Sequence, residues 1–308
     1  MGIKCFRDFC TMSNYFTVNG FPPTPTESVL EYFVTHCASN LKLSYTTIKL
    51  YLCGVRHHYI AAGQGDILQN VPRLDLTLRG IKKVQISPAR IRLPITTDVL
   101  YALGSVLTRK NTEFKEAMLW AVLCIGFYGA LRCGEFTVKG AFEADKHLCY
   151  RDVSFSKDMK LNIDYVVVHL KASKTDPFRL GVNISLFATG QLACPVQALR
   201  TYLSFCNEYE EIRPLFHLQD GTPLSRSRYI SMLQVTLTQA VYIPTLFNGH
   251  SLRKGFATSA SAGNVPDHVI STIGRWTSEC YKIYISTPNS VIARAQQQVA
   301  DPKLGNNL

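Results

Sequence analysis

The stretch Gly249-His250-Ser251-Leu252-Arg253, followed by Gly274-Arg275-Trp276 and then Tyr281 and Tyr284, decides how the rest of the chain is read. His250 and Arg253 are three residues apart, so they share one face at the start of a helix. A short helix follows, and then a segment that carries the tyrosines. These are the residue types needed to hold a phosphate group and attack it with a phenol.

Composition is compatible with that chemistry. A chain of 308 residues makes one large domain or two ordinary ones, and 46% hydrophobic residues supply a core. Lys and Arg number 33 against 22 Asp and Glu, for a net charge of +11. A basic balance on that scale favours a polyanionic partner, nucleic acid being the commonest. The ten cysteines form no CxxC pair and no Cys-His cluster with zinc-finger spacing. They read as reduced, intracellular thiols buried as small hydrophobes, with no structural metal. Met1 to Cys10 carries charges and no long apolar core, unlike a signal peptide. Ala117 to Leu131 is an uncharged, strongly apolar run. It is shorter than the ~18 residues of a membrane span and predicts a buried helix in a soluble protein.

Moving upstream from the opening stretch, Ser225 to Gln239 predicts an amphipathic helix with Tyr229, Met232, Leu233 and Leu237 inside. Arg226 and Arg228, at its N-terminal end, are placed to touch phosphates. Pro195 to Cys206 is another helix. Ile163 to Leu170 and Leu180 to Leu186 are strand-like, and the turn between them carries Lys174 near its tip. A helix from about Glu113 runs straight into Leu131-Arg132-Cys133-Gly134-Glu135-Phe136. An arginine in that position needs a partner, and Glu135 is the nearest carboxylate. Taken alone, Arg132 and Glu135 read as a buried pair that closes a helix. Asp98 is the expected N-cap of the helix before.

The first ninety or so residues predict helices beginning near Thr26, Ser44 and Val71. Phe6 and Cys10 suggest the end of an earlier helix. The segment Gln85 to Leu93 has a proline, two arginines and no helical period. The reading is therefore mainly α with a small β-sheet: a helical domain over 1–86, a linker over 87–94 and an α/β domain over 95–308. Downstream, Ser290 to Ala300 predicts a short tail helix with a modest apolar stripe.

In order along the chain, Leu131-Arg132-Cys133-Gly134-Glu135, Ser173-Lys174-Thr175, His250-Ser251-Leu252-Arg253, Gly274-Arg275-Trp276 and Tyr284 resemble the motifs of the tyrosine recombinases, the phage-integrase family. The resemblance covers about 95 to 290, and the helical first domain looks like that family's core-binding domain. The wording of SKTDPFRLG, HSLRKGFAT and GRWTSECYKIYI is similar to recombinases of eukaryotic mobile elements, including DIRS-type retrotransposons. The resemblance implies Tyr284 as nucleophile, forming a 3′-phosphotyrosyl link, with Tyr281 as the other candidate. Arg132 and Arg253 would clamp the phosphate, as two guanidiniums suit that task. Lys174 would be the acid for the leaving oxygen, and His250 would assist proton movement or bind the phosphate. Glu135 would orient Arg132 and His250. Arg275 falls in the family's His/Trp slot with Trp276 one beyond, and either is a candidate phosphate contact. Neither a metal nor another cofactor is expected.

The partner implied is double-stranded DNA, bound by a cyclic homo-oligomer whose tail helices dock in trans. Lys49, Arg56, Lys82, Lys83, Arg90 and Arg92 are candidate backbone contacts, with Arg226 and Arg228. Nuclear residence follows if the host is eukaryotic. The competing readings are a non-catalytic DNA-binding protein derived from a recombinase and a type IB topoisomerase-like enzyme.

Overall fold

The computed structural model describes residues 1–15, 24–85, 92–109, 112–172, 176, 178, 180–206, 211–285, 287, 292–293 and 296–297, without the side chains of Cys280 and Tyr284. The chain divides into two compact units, Met1–Arg90 and Ile91–Leu308. Most of the expected tail helix lies outside the described residues. Among those residues no helix is long and apolar enough to cross a membrane.

The described residues of the first unit form four helices: α1 (Gly2–Met12), α2 (Glu27–Ser39), α3 (Tyr45–Ala61) and α4 (Pro72–Val84). Thr26 and Ser44 cap α2 and α3 as their sequences predict, accepting from the N–H groups of Val29 and Thr47. The apolar stripes meet around Phe6 and Phe33, whose rings lie edge to face at 5.1 Å. Phe6 and Cys10 lie on the buried face of α1.

In the second unit the organising element is α6 (Phe114–Tyr128), which is buried at every position from Ala117 to Phe127. Such a helix must be wrapped on all sides. Around it lie α5 (Thr97–Leu107), α8 (Pro195–Ser204), α9 (Arg226–Gln239) and α10 (Ser251–Ala262). The one-turn α7 (Cys133–Phe136) follows α6, and α11 (Asp267–Gly274) precedes a 3-10 segment, Glu279–Tyr284. A three-stranded antiparallel sheet runs in the order β1 (Val153–Asp158), β2 (Ile163–Leu170), β3 (Val182–Phe187). Val166, Val168 and Leu170 pair with Leu186, Ile184 and Val182, which puts one apolar face towards the core.

Three details differ from the expectation. The strand β1, VSFSKD, was not anticipated; its apolar alternation is limited to Val153 and Phe155, and none of its residues is fully buried. The N-cap of α5 is Thr96, because the chain is still extended there; Asp98 sits in the first turn, where its charge suits the helix dipole. Residues 92 to 94, read as linker, are tied into the second unit. Leu93 N–H donates to the Leu246 carbonyl at 2.7 Å, and Ile95 N–H to that of Ser251 at 2.9 Å. This extended segment lies so close to α10 that a Cβ on Gly255 would sit 1.7 Å from the Ile95 carbonyl oxygen. The absent side chain is what lets α10 seat.

Candidate active site

The first corner of the site is built at the end of α6. Ala130 adopts a left-handed conformation (φ 44), and the chain turns into Arg132, the N-cap residue of α7. Glu135, one turn on, accepts from the Arg132 backbone N–H at 2.9 Å and from its Nη1 at 3.0 Å. The same carboxylate takes Arg275 Nη2 at 2.9 Å, and Arg275 Nη1 donates to the Gly129 carbonyl at 3.0 Å. The Glu135 side chain is only 4% exposed, against 19% for Arg132 and 15% for Arg275. One buried carboxylate thus fixes two guanidiniums. Burial pulls the Arg275 guanidinium below its ordinary range, and the charge of Glu135 opposes that pull. Arg275 Nε is buried without a hydrogen bond.

The second corner is built by α10 and α11. His250 is the exposed N-cap residue of α10, its N–H donating to Asn248 Oδ1 at 2.8 Å. Arg253, one turn on, is 2% exposed. Its Nη1 donates to the Ala130 carbonyl, its Nη2 donates to the Gly274 carbonyl at 2.5 Å, and the guanidinium lies 4.2 Å from the centre of the Trp276 ring. Arg275 ends α11 in a left-handed conformation (φ 55). That reversal sends Arg275 to Glu135 and folds Trp276 back over Arg253. A Cβ on Gly274 would fall 1.7 Å from the indole, so only glycine fits there.

A cleft of about 450 Å3 opens at the first corner, lined by Arg132, Glu135, Lys146, His147, Arg226 and His250 together with Cys133, Gly134 and Ala172. Five cationic or imidazole side chains thus face one carboxylate that is already paired. The structure brings together Arg132, Glu135, His250 and Arg226 from the sequence reading. It does not bring Arg253 with them. Two backbone carbonyls and an indole hold Arg253 beneath the surface. Neither Arg275 nor Trp276, the two candidates for a further phosphate contact, lines this cleft. Arg275 is committed to Glu135 and Trp276 to Arg253.

Lys174 lies outside the described residues, two positions beyond Ala172 of the cleft wall. The nearby Lys171 has its Nζ 2.5 Å from Asp152 Oδ2 and 2.6 Å from the Ala144 carbonyl. Tyr284 has its backbone in the 3-10 segment; its side chain is outside the described set. Tyr281 packs on Trp276 at 5.7 Å, is 4% exposed, and its phenol is pushed up by burial and by Asp267.

Lys146 and His147 were not anticipated; FEADKH reads as an ordinary solvated turn, and no sequence signal places it at the cleft. Of the expected DNA contacts, Lys49, Lys82 and Lys83 are exposed on the first unit. Arg56 forms a two-point pair with Asp66, at 2.8 and 2.5 Å, so its charge is already engaged. Arg92 Nη1 donates to the Thr245 carbonyl at 2.5 Å. Arg228 lines a different cavity, with Phe114 and Asp220. Arg90 lies outside the described residues.

The fold is that of tyrosine recombinase catalytic domains joined to a helical unit. It is similar to the XerH site-specific recombinase in a post-cleavage complex with palindromic difH substrate (TM-score 0.60, 13% identity, covering 97% of this chain and 77% of that one). It is also similar to the Tn1549 transposon integrase in complex with transposon right end DNA (TM-score 0.56, 13% identity, 97% and 99% covered). In sequence the chain is 26% identical over 283 residues to an integrase/recombinase xerD homolog of Selenomonas ruminantium, covering 89% of this chain and 76% of that protein. No family model matches the chain. The sequence relative and the fold together support the tyrosine recombinase and integrase family.

Proposed function

We propose that this chain is a site-specific recombinase or integrase that cuts and rejoins DNA through a 3′-phosphotyrosyl intermediate. The observation that carries the reading is the basic cleft in which Arg132, Arg226 and His250 converge beside a carboxylate-fixed corner. The Tyr284 phenol oxygen attacks phosphorus, forming the O–P bond. The bond to the 5′ oxygen breaks, and Lys174 supplies that oxygen with a proton. Rejoining is the same exchange in reverse, so the covalent link conserves the bond and ATP is not needed.

Arg132 stabilises the charge that builds on the non-bridging oxygens, and Glu135 with Arg275 keeps its guanidinium in place. His250 assists proton movement at the nucleophile or binds the phosphate. Arg253 and Trp276 support the wall behind the cleft. The burial of Tyr281 supports Tyr284 as nucleophile. The helical domain over 1–86 acts as a DNA clamp, with Lys49, Lys82 and Lys83 on phosphates.

The host element is of the mobile-element kind, with the DIRS-like wording of the motifs supporting a eukaryotic retrotransposon. The bacterial relative supports a prokaryotic host instead. Nuclear residence applies only to the eukaryotic case. A homo-oligomer of two to four protomers on DNA completes the proposal.

Covalent trapping tests it. Wild-type protein incubated with a pool of nicked duplexes, from which the cut strand diffuses away, is expected to give a protein–DNA adduct on a denaturing gel, mapped to Tyr284. Salt-sensitive DNA binding without any adduct, on a pool that contains the target site, would indicate a non-catalytic DNA-binding protein. An adduct that relaxes supercoils without strand exchange would indicate the topoisomerase-like alternative.

A further inference from the structure

The cleft has a wall that the recombinase reading does not use. It is the turn over residues 142 to 147, between α7 and β1. The loop is anchored on both sides, by a bridge from Val138 to Ser225 and another from Cys149 to Pro214. Cys149 N–H also donates to Asp152 Oδ2 at 2.7 Å. Within the turn the Glu143 carbonyl accepts from the N–H groups of Lys146 and His147, at 3.0 and 2.9 Å. The His147 ring stacks on Phe142, with centres 5.7 Å apart and planes at 27°. This imidazole is therefore held in one place.

Its protonation pattern follows from the same contacts. Glu143 N–H donates to His147 Nδ1 at 3.0 Å. The Glu143 carbonyl also lies 3.1 Å from Nδ1, but it already accepts two amide protons. A ring nitrogen that accepts does not carry the proton, so the neutral imidazole bears its N–H at Nε2. The neighbouring Lys146 ammonium is engaged by the Glu143 carboxylate. His147 is thus a fixed donor through Nε2 in a cleft shared with Arg132, Arg226 and His250.

We infer that His147 donates through Nε2–H to an oxygen of a DNA phosphate next to the scissile one, so that the turn over 142 to 147 sets the register of the strand in the cleft. A polyanion with one phosphate at Arg132 must run its neighbouring phosphates along the cleft walls, and phosphate contacts of this kind fix register. The inference rests on the recombinase reading above.

The test uses the full chain, the nicked duplex recovered by trapping, and three variants. His147→Phe keeps the ring that stacks on Phe142 and removes both nitrogens. His147→Gln places a donor near the Nε2 position. His147→Asn places an acceptor near the Nδ1 position, which is what a purely structural turn would need. The expected result is an adduct rate about tenfold lower for Phe and Asn, the scale of one lost hydrogen bond, with Gln restoring most of the loss. Duplexes carrying a single methylphosphonate at each flanking position complete the test. One flanking position should slow the wild type about tenfold and slow His147→Phe no further, the non-additivity expected of groups in contact. Rescue by Asn and not by Gln, a Phe variant equal to wild type, or additive penalties at every position would overturn the inference. Absence of any wild-type adduct would overturn the recombinase reading and this one together, a result distinct from the other three.

Discussion

Arg132 and Arg253 come from elements that pack into one core, α7 after α6 and α10 beside it, yet each charge is satisfied by different means. Arg132 is 19% exposed at a cleft and answers to a carboxylate on its own short helix. Arg253 is 2% exposed and answers to two backbone carbonyls and an indole. The difference lies in what each arrangement demands of the backbone. The carboxylate pair needs only a three-residue spacing on one turn. The carbonyl cage needs left-handed turns at Ala130 and Arg275, glycine at 274 to admit the indole, and glycine at 255 to seat the helix. A pair built from side chains can face solvent and meet a substrate. A cage built from main chain is rigid and buried, and it acts by holding the first corner against the second.

Stability and activity should therefore separate between the corners. The largest effect is expected from Gly255→Ala, whose Cβ meets the Ile95 carbonyl; a loss of about 3 kcal/mol or more in urea unfolding, or insoluble protein, follows from a backbone that has no room to move. Arg253→Ala comes next. It leaves the Ala130 and Gly274 carbonyls without their donor and opens a hole beside Trp276, costing about 2–4 kcal/mol and shifting indole fluorescence. Arg132→Ala should cost only about 1 kcal/mol in stability, since Arg275 still pairs with Glu135, while adduct formation falls about a hundredfold or more. If Arg132→Ala proved as destabilising as Arg253→Ala, the contrast would collapse. The smallest effect is expected for Gly134→Ala. Nothing beyond its chain neighbours and its own turn lies within 4 Å of the added Cβ and the residue is helical, so stability should change by less than about 1 kcal/mol, in the stabilising direction.

The same contrast explains what could be read in the sequence. Helices with apolar stripes and hydroxyl caps, α2 and α3 above all, were legible because each residue's preference agrees with its environment. The Arg132–Glu135 pair was legible for the same reason, as two side chains one turn apart. The strand β1 was not, since only Val153 of its residues packs on the core and the apolar alternation stops after Phe155. Nor was the fate of Arg253, Arg275 and Trp276. It is decided by a left-handed arginine, and nothing in GRW announces a conformation that glycine normally takes. Lys146 and His147 reach the cleft through a turn whose sequence is that of any solvated loop, so their placement is a product of tertiary structure alone.

The central claim, a tyrosine nucleophile served by the cleft at Arg132, is tested most directly by covalent trapping on a nicked duplex with Tyr284→Phe and Tyr281→Phe side by side. The account predicts that Tyr281→Phe still forms the adduct, because Tyr281 is packed on Trp276, and that Tyr284→Phe binds the duplex with unchanged salt dependence and forms none. Loss of the adduct in Tyr281→Phe with its retention in Tyr284→Phe would contradict it.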